Sequence, residues 1–78
     1  MKRKTIKIEN AEVSCNFAAS NPDGPDEYEV KIKVANLLYC IYTLAEPFEK
    51  EDSICHRVYN EWKNGCHNDV IAEIITNY

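Results

Sequence analysis

Glycine is scarce in this 78-residue chain, present only as Gly24 and Gly65. That removes phosphate-cradling loops, whose backbone approach to a phosphate needs closely spaced glycines. Apolar runs are short as well. The longest, Val34 to Leu44, is interrupted by Asn36 and is too short for the ~18–20 residues of a membrane span, so no membrane association is expected. The start, MKRKTIKIEN, is basic but lacks the apolar stretch and small-residue cleavage site of a secretion signal, and a cytoplasmic location is expected. PDGPDE lacks the alternating oxygen ligands and terminal Glu of a calcium loop. The two histidines, His56 and His67, suggest no Ser/His/Asp arrangement, and the carboxylates cluster in a loop and at a helix start rather than on facing strands. The sequence therefore points away from an enzyme, and no cofactor is expected.

What is present describes one small globular domain over residues 1–78. A chain of this size buries only about 60–65 % of the surface its unfolded form exposes. Its hydrophobic fraction of 45 % and charged fraction of 28 % are those of a folded protein. The net charge of −4 hides an asymmetry. Lys2, Arg3, Lys4 and Lys7 fall in the first eight residues, and residues 1–4 read as a basic N-terminal arm. The rest carries five bases against thirteen acids, a net of −8. Such a body repels a phosphate backbone, which argues against direct nucleic-acid binding, and it suits a basic protein surface.

Four cysteines without a secretion signal read as reduced thiols. Cys15 and Cys40 sit within apolar alternation and read as small buried hydrophobes. The repeated pair Cys55-His56 and Cys66-His67 raises the question of a metal. Its spacing matches neither Cys-x₂₋₄-Cys nor His-x₃₋₅-His, and no metal is expected; the alternative is a site joining Cys55, Cys66 and His67 across a turn.

Periodicity places the elements. Ala11, Val13, Cys15, Phe17 and Ala19 alternate as a strand, while Ile6 and Ile8 keep the opposite phase, which suggests a bulge or bend near Asn10. SNPDGPDE, residues 20–27, is an acidic Pro/Gly loop. Tyr28, Val30, Ile32 and Val34 form the cleanest strand, and Ala35-Asn36 suits a hairpin turn with Asn36 at positive φ. The run 37–44 is apolar on both faces, so either the sheet curls round it or Tyr39 and Ile41 form an exposed apolar patch. A helix is expected from Pro47, with Ile54, Val58, Trp62, Cys55 and Phe48 on one stripe within about 120° and His56 facing solvent. Lys63-Asn64-Gly65 closes it. Val70, Ile71, Ile74, Ile75 and Tyr78 predict a second helix over 69–78. The expected architecture is α+β, a three-stranded antiparallel β-meander followed by two short helices packed on one face, βββαα.

The favoured function is a small acidic protein-binding module, an inhibitor or adaptor covering a basic site on a larger protein, a nucleic-acid-binding site being one such target. Its size and charge are those of phage and mobile-element accessory proteins. Its contact residues would be Asp23, Asp26, Glu27 and Glu29 on one side, Glu46, Glu49, Glu51 and Asp52 on the other, and Tyr39 and Ile41 at the centre. The alternative is a structural or regulatory homo-oligomer, possible as a homodimer paired through strand 37–44 or helix 69–78. A third reading is an antitoxin- or repressor-like protein using the basic arm.

Overall fold

The computed structural model describes residues 3–75. The alternating runs become strands β1 (Arg3–Ile8), β2 (Ala11–Ala19), β3 (Glu27–Val34) and β4 (Leu37–Leu44), followed by helix α1 (Glu51–Lys63) and the short strand β5 (Glu73–Ile74). The strands form one antiparallel sheet in the order β1-β2-β3-β4-β5. The fold is thus a five-stranded sheet with one helix, not the expected three strands and two helices.

The phase slip near Asn10 is a hairpin turn rather than a bulge. Glu9 takes φ +54°, and Ile6 and Ile8 pair with Val13 and Ala11. A tight turn and a bulge leave the same trace in the alternation, and Glu9-Asn10 lacks the Asn-Gly or Asp-Gly signature that would mark the turn. Lys63 and the Tyr59 hydroxyl both donate to the Glu9 carboxylate, at 2.8 and 2.7 Å, which ties this turn to the end of α1. In the hairpin joining β3 to β4, Ala35, not Asn36, takes the positive φ, +55°.

One face of the sheet is covered by α1. Register puts Val13, Cys15, Val30, Ile32 and Ile41 on that face, and all are at most 2 % exposed. The helix closes over them with Ile54, Cys55, Val58 and Tyr59, while Trp62 packs on Tyr39 with ring centroids 4.9 Å apart and planes tilted by 57°. The stripe read from the sequence is therefore the one used, with His56 exposed, except at Phe48. The helix starts at Glu51 rather than Pro47, because Glu46–Glu49 forms a turn in which Phe48 takes φ +65°. Its end is a Schellman motif: the Gly65 N–H, at φ +84°, donates to Trp62 O, and the Cys66 N–H donates to Glu61 O.

The expected second helix is absent from the described part of 69–78, residues 69–75; residues 76–78, with Tyr78, lie outside the described residues. Instead Glu73 and Ile74 pair with Leu38 and Leu37, and the Ile75 N–H donates to Asn36 O at 2.7 Å. A helix of about ten residues is marginal by itself, whereas β-branched Val70, Ile71, Ile74 and Ile75 suit an extended chain along the open edge of β4. Ile71 and Ile74 stay exposed.

Candidate functional site: an acidic cleft with an exposed aromatic

The turn after β4 holds the least expected side chain in the molecule. Glu46-Pro47-Phe48-Glu49 is closed by the Glu49 N–H donating to Glu46 O at 3.0 Å. Proline in the second position and positive φ in the third define a type II turn, whose third position ordinarily takes Gly or Asn. Here it is Phe48, which buries nothing: its relative exposure is 102 %. The expectation that Phe48 anchors the core is overturned by this turn.

Arg57 holds the turn in place. Its guanidinium donates to both Glu49 oxygens at 2.8 and 3.0 Å, to the Thr43 hydroxyl at 3.2 Å, to Leu44 O at 3.0 Å and to Glu61 at 3.3 Å. The Arg57 hydrogen bonds keep the Glu49 carboxyl below its ordinary value of 4.5. From the other side, the Ala45 N–H donates to Asp26 O at 2.9 Å and draws the 20–26 loop toward the turn. That loop has its own scaffold, in which Gly24 N–H donates to Asn21 O and Asp23 N–H to the Asn21 side chain.

Between loop and turn lies an open cleft of about 530 Å³, with Asp26, Tyr28, Glu46, Phe48 and Glu49 in its lining. The Tyr28 phenol is pushed up, first by burial and then by the charges of Glu51 and Asp26. The cleft is thus an electronegative recess with an aromatic ring at its rim, and it suits a cation attached to an apolar stem.

The two acidic groups singled out in the sequence are brought together only in part. Asp26, Glu46 and Glu49 line the cleft, Glu51 faces Tyr28, and Asp23 and Asp52 are exposed in the flanking loop and first helical turn. Glu49 is already neutralised by Arg57. Glu27 and Glu29 lie on the uncovered sheet face, where Glu29 accepts from Cys40 Sγ at 3.0 Å and from the Tyr42 hydroxyl at 3.1 Å. Tyr39 and Ile41 do not form an exposed patch. Both face the helix, and the exposed apolar residues of β4 are Tyr42, 58 %, and Leu44, 51 %, on the opposite side.

The metal alternative finds no geometry. Cys55 is fully buried and donates to Val13 O at 3.8 Å, Cys66 is exposed, and His67 pairs with Glu61 at 3.0 Å. Among the described residues no cluster of three or more His, Cys, Asp or Glu side chains is placed to hold a metal ion.

The four thiols are free and differ sharply in surroundings. Cys15 is buried against Cys55, and its hydrogen bond to Cys55, with burial, pushes its thiol up. Burial and the Glu29 hydrogen bond push Cys40 up to about 11. A maleimide reagent near pH 7 is therefore expected to modify the exposed Cys66 promptly and the other three only on unfolding, since Cys15 and Cys55 are fully buried and the raised Cys40 thiol holds little of the reactive thiolate. Peptide mapping by mass spectrometry checks this; rapid labelling of Cys40 in the folded protein would contradict it.

Among the described residues no helix is long and apolar enough to cross a membrane. The chain matches no protein-family model, and no curated protein or solved structure shows significant similarity to it.

Proposed function

We propose that this protein is a non-enzymatic acidic binding module, an inhibitor or adaptor of the phage or mobile-element kind, working in the cytoplasm with its thiols reduced. It covers a basic surface on a partner protein, and the cleft at Phe48 is its contact site. The observation that supports this most directly is Phe48 itself. A left-handed backbone costs a non-glycine residue about 1–2 kcal/mol, and here no burial offsets it. An aromatic held outward at such a cost belongs to a surface that is covered when the protein works. An Arg or Lys of the partner enters between Asp26 and Glu46 and lays its stem against the ring.

The test is a titration of ¹⁵N-labelled protein with an arginine-rich peptide as the probe. Chemical-shift changes are expected to concentrate at 24–28 and 45–52 and to fade steeply with added salt. Phe48→Gly is expected to weaken binding at least about tenfold, while the thermal midpoint stays unchanged or rises by a few degrees as the left-handed residue is relieved. Shift changes spread evenly to Glu12, Asp69 and Glu73, or a Phe48→Gly protein that binds as well as the parent, would defeat the reading.

A further inference from the structure

The sheet face opposite α1 has no cover among the described residues, and its side chains follow an order that matches itself when reversed. On β3 the outward residues read Glu27, Glu29, Lys31, Lys33: two acids, then two bases, with the change of sign centred on Val30. On β4 the outward residues read Leu38, Cys40, Tyr42, Leu44, centred on Ile41. Val30 and Ile41 are register partners, so both rows share one centre line across the sheet.

The geometry points to a second copy of this chain as the occupant of this face, in a face-to-face dimer whose two-fold axis runs along that line. Rotation about it sets Glu27 over the partner's Lys33 and Glu29 over the partner's Lys31. It sets Leu38 over the partner's Leu44 and Cys40 over the partner's Tyr42. Each contact occurs twice, as a two-fold interface requires. Sheet faces pack about 10 Å apart, within reach of opposed Lys and Glu side chains.

Three further observations agree. Among the described residues Glu27, Lys31 and Lys33 take part in no ion pair within the chain. Among the described residues Glu29 accepts hydrogen bonds only through Oε2, from Cys40 and Tyr42, with Lys31 of the same strand acting on it by charge alone. Four long strands at roughly 4.8 Å spacing, each about seven residues long, offer a face of roughly 19 by 23 Å, about 440 Å² in projection before side-chain relief is added, against roughly 800 Å² per partner of a standard interface. The opposed charges fix register and exclude a parallel arrangement, while Tyr42 and the leucines supply the burial. The dimer does not rest on the Phe48 cleft, and Phe48→Gly leaves it intact.

Sedimentation velocity from about 1 µM to about 500 µM tests this, with three samples. The parent protein is expected to be a dimer. Lys31→Glu with Lys33→Glu makes the β3 row wholly acidic, and Glu27→Lys with Glu29→Lys makes it wholly basic; each is expected to weaken self-association at least about tenfold. Mixed in equal amounts, the two variants are expected to dimerise again. A parent that stays monomeric throughout, a dimer indifferent to either charge reversal, or folded variants that fail to associate when mixed would each overturn the proposal. If a variant does not fold, the parent still decides. In a dimer of labelled and unlabelled chains, methyl contacts between Leu38 of one protomer and Leu44 of the other must appear, and their absence overturns this face as the interface.

Discussion

Ile41→Glu is expected to abolish cooperative folding, whereas Tyr42→Glu, one residue on, is expected to leave a folded protein. Ile41 is 2 % exposed beneath α1, and its replacement strands a carboxylate in the apolar layer with Val30 and Ile54. The lost burial is about 2–3 kcal/mol, and the unpaired buried charge adds several more. A chain of this length has a total stability of only about 4–12 kcal/mol. In the single chain Tyr42 is more than half exposed, and its hydroxyl bond to Glu29 is the main contact removed, so at dilutions where the chain is monomeric its replacement is expected to cost about 1 kcal/mol. Urea unfolding of the two variants followed by circular dichroism measures the contrast. Equal loss in both at that dilution would mean that β4 is covered on both sides within a single chain.

Arg57→Met is expected to be the most damaging change outside the apolar core, costing about 2–3 kcal/mol and lowering the thermal midpoint by roughly 10–20 °C. Methionine keeps the aliphatic stem and removes every hydrogen bond of the guanidinium. Glu49, its side chain only 9 % exposed, is then left without its cation, and Leu44 O and Thr43 lose a donor. The turn carrying Phe48 loses its anchor, so binding at the cleft falls together with stability.

Acid separates this contribution from the rest. The folded pKa of Glu49 is depressed below its ordinary value of 4.5, chiefly by Arg57. Its contribution is therefore present above that ordinary value and is lost as pH falls through the depressed one. The parent's midpoint is expected to be flat from about pH 7 to 5 and to drop below about pH 4.5, with a shallower drop in Arg57→Met. A parallel drop in both proteins would deny the pairing its role.

Legibility in the sequence followed the number of constraints acting on each residue. Val13, Cys15, Val30 and Ile32 have polar neighbours on both sides in the chain, so alternation alone assigns their face. Ile54, Cys55, Val58 and Trp62 likewise fit one helical stripe. Leu37 to Leu44 is apolar at nearly every position, and alternation cannot choose a face there. The choice is made by register, because Ile41 lies opposite Val30 and Tyr42 opposite Glu29. The acids were visible as two groups in sequence, but their meeting depends on the Ala45–Asp26 backbone bond, which has no side-chain signature. Phe48 was missed because its helical spacing fits the stripe, while Pro47, read as a helix start, is equally the second residue of a type II turn. The tail was missed because Val70, Ile71, Ile74 and Ile75 satisfy a helical period and a β-branched strand composition at once.

Strictly sequential strand order has a consequence for the chain as it is being made. Each hairpin joins neighbours in sequence, so β1 to β4 can zip up in the order in which they leave the ribosome, with little loop closure at any step. The cover arrives last. Until Glu51–Lys63 has emerged, the nascent sheet carries Val13, Val30, Ile32 and Ile41 against water on one side, and its edges are open. Synthesis at about 5–20 residues per second makes that interval about one to four seconds, long enough for two neighbouring nascent chains to meet through the wrong faces.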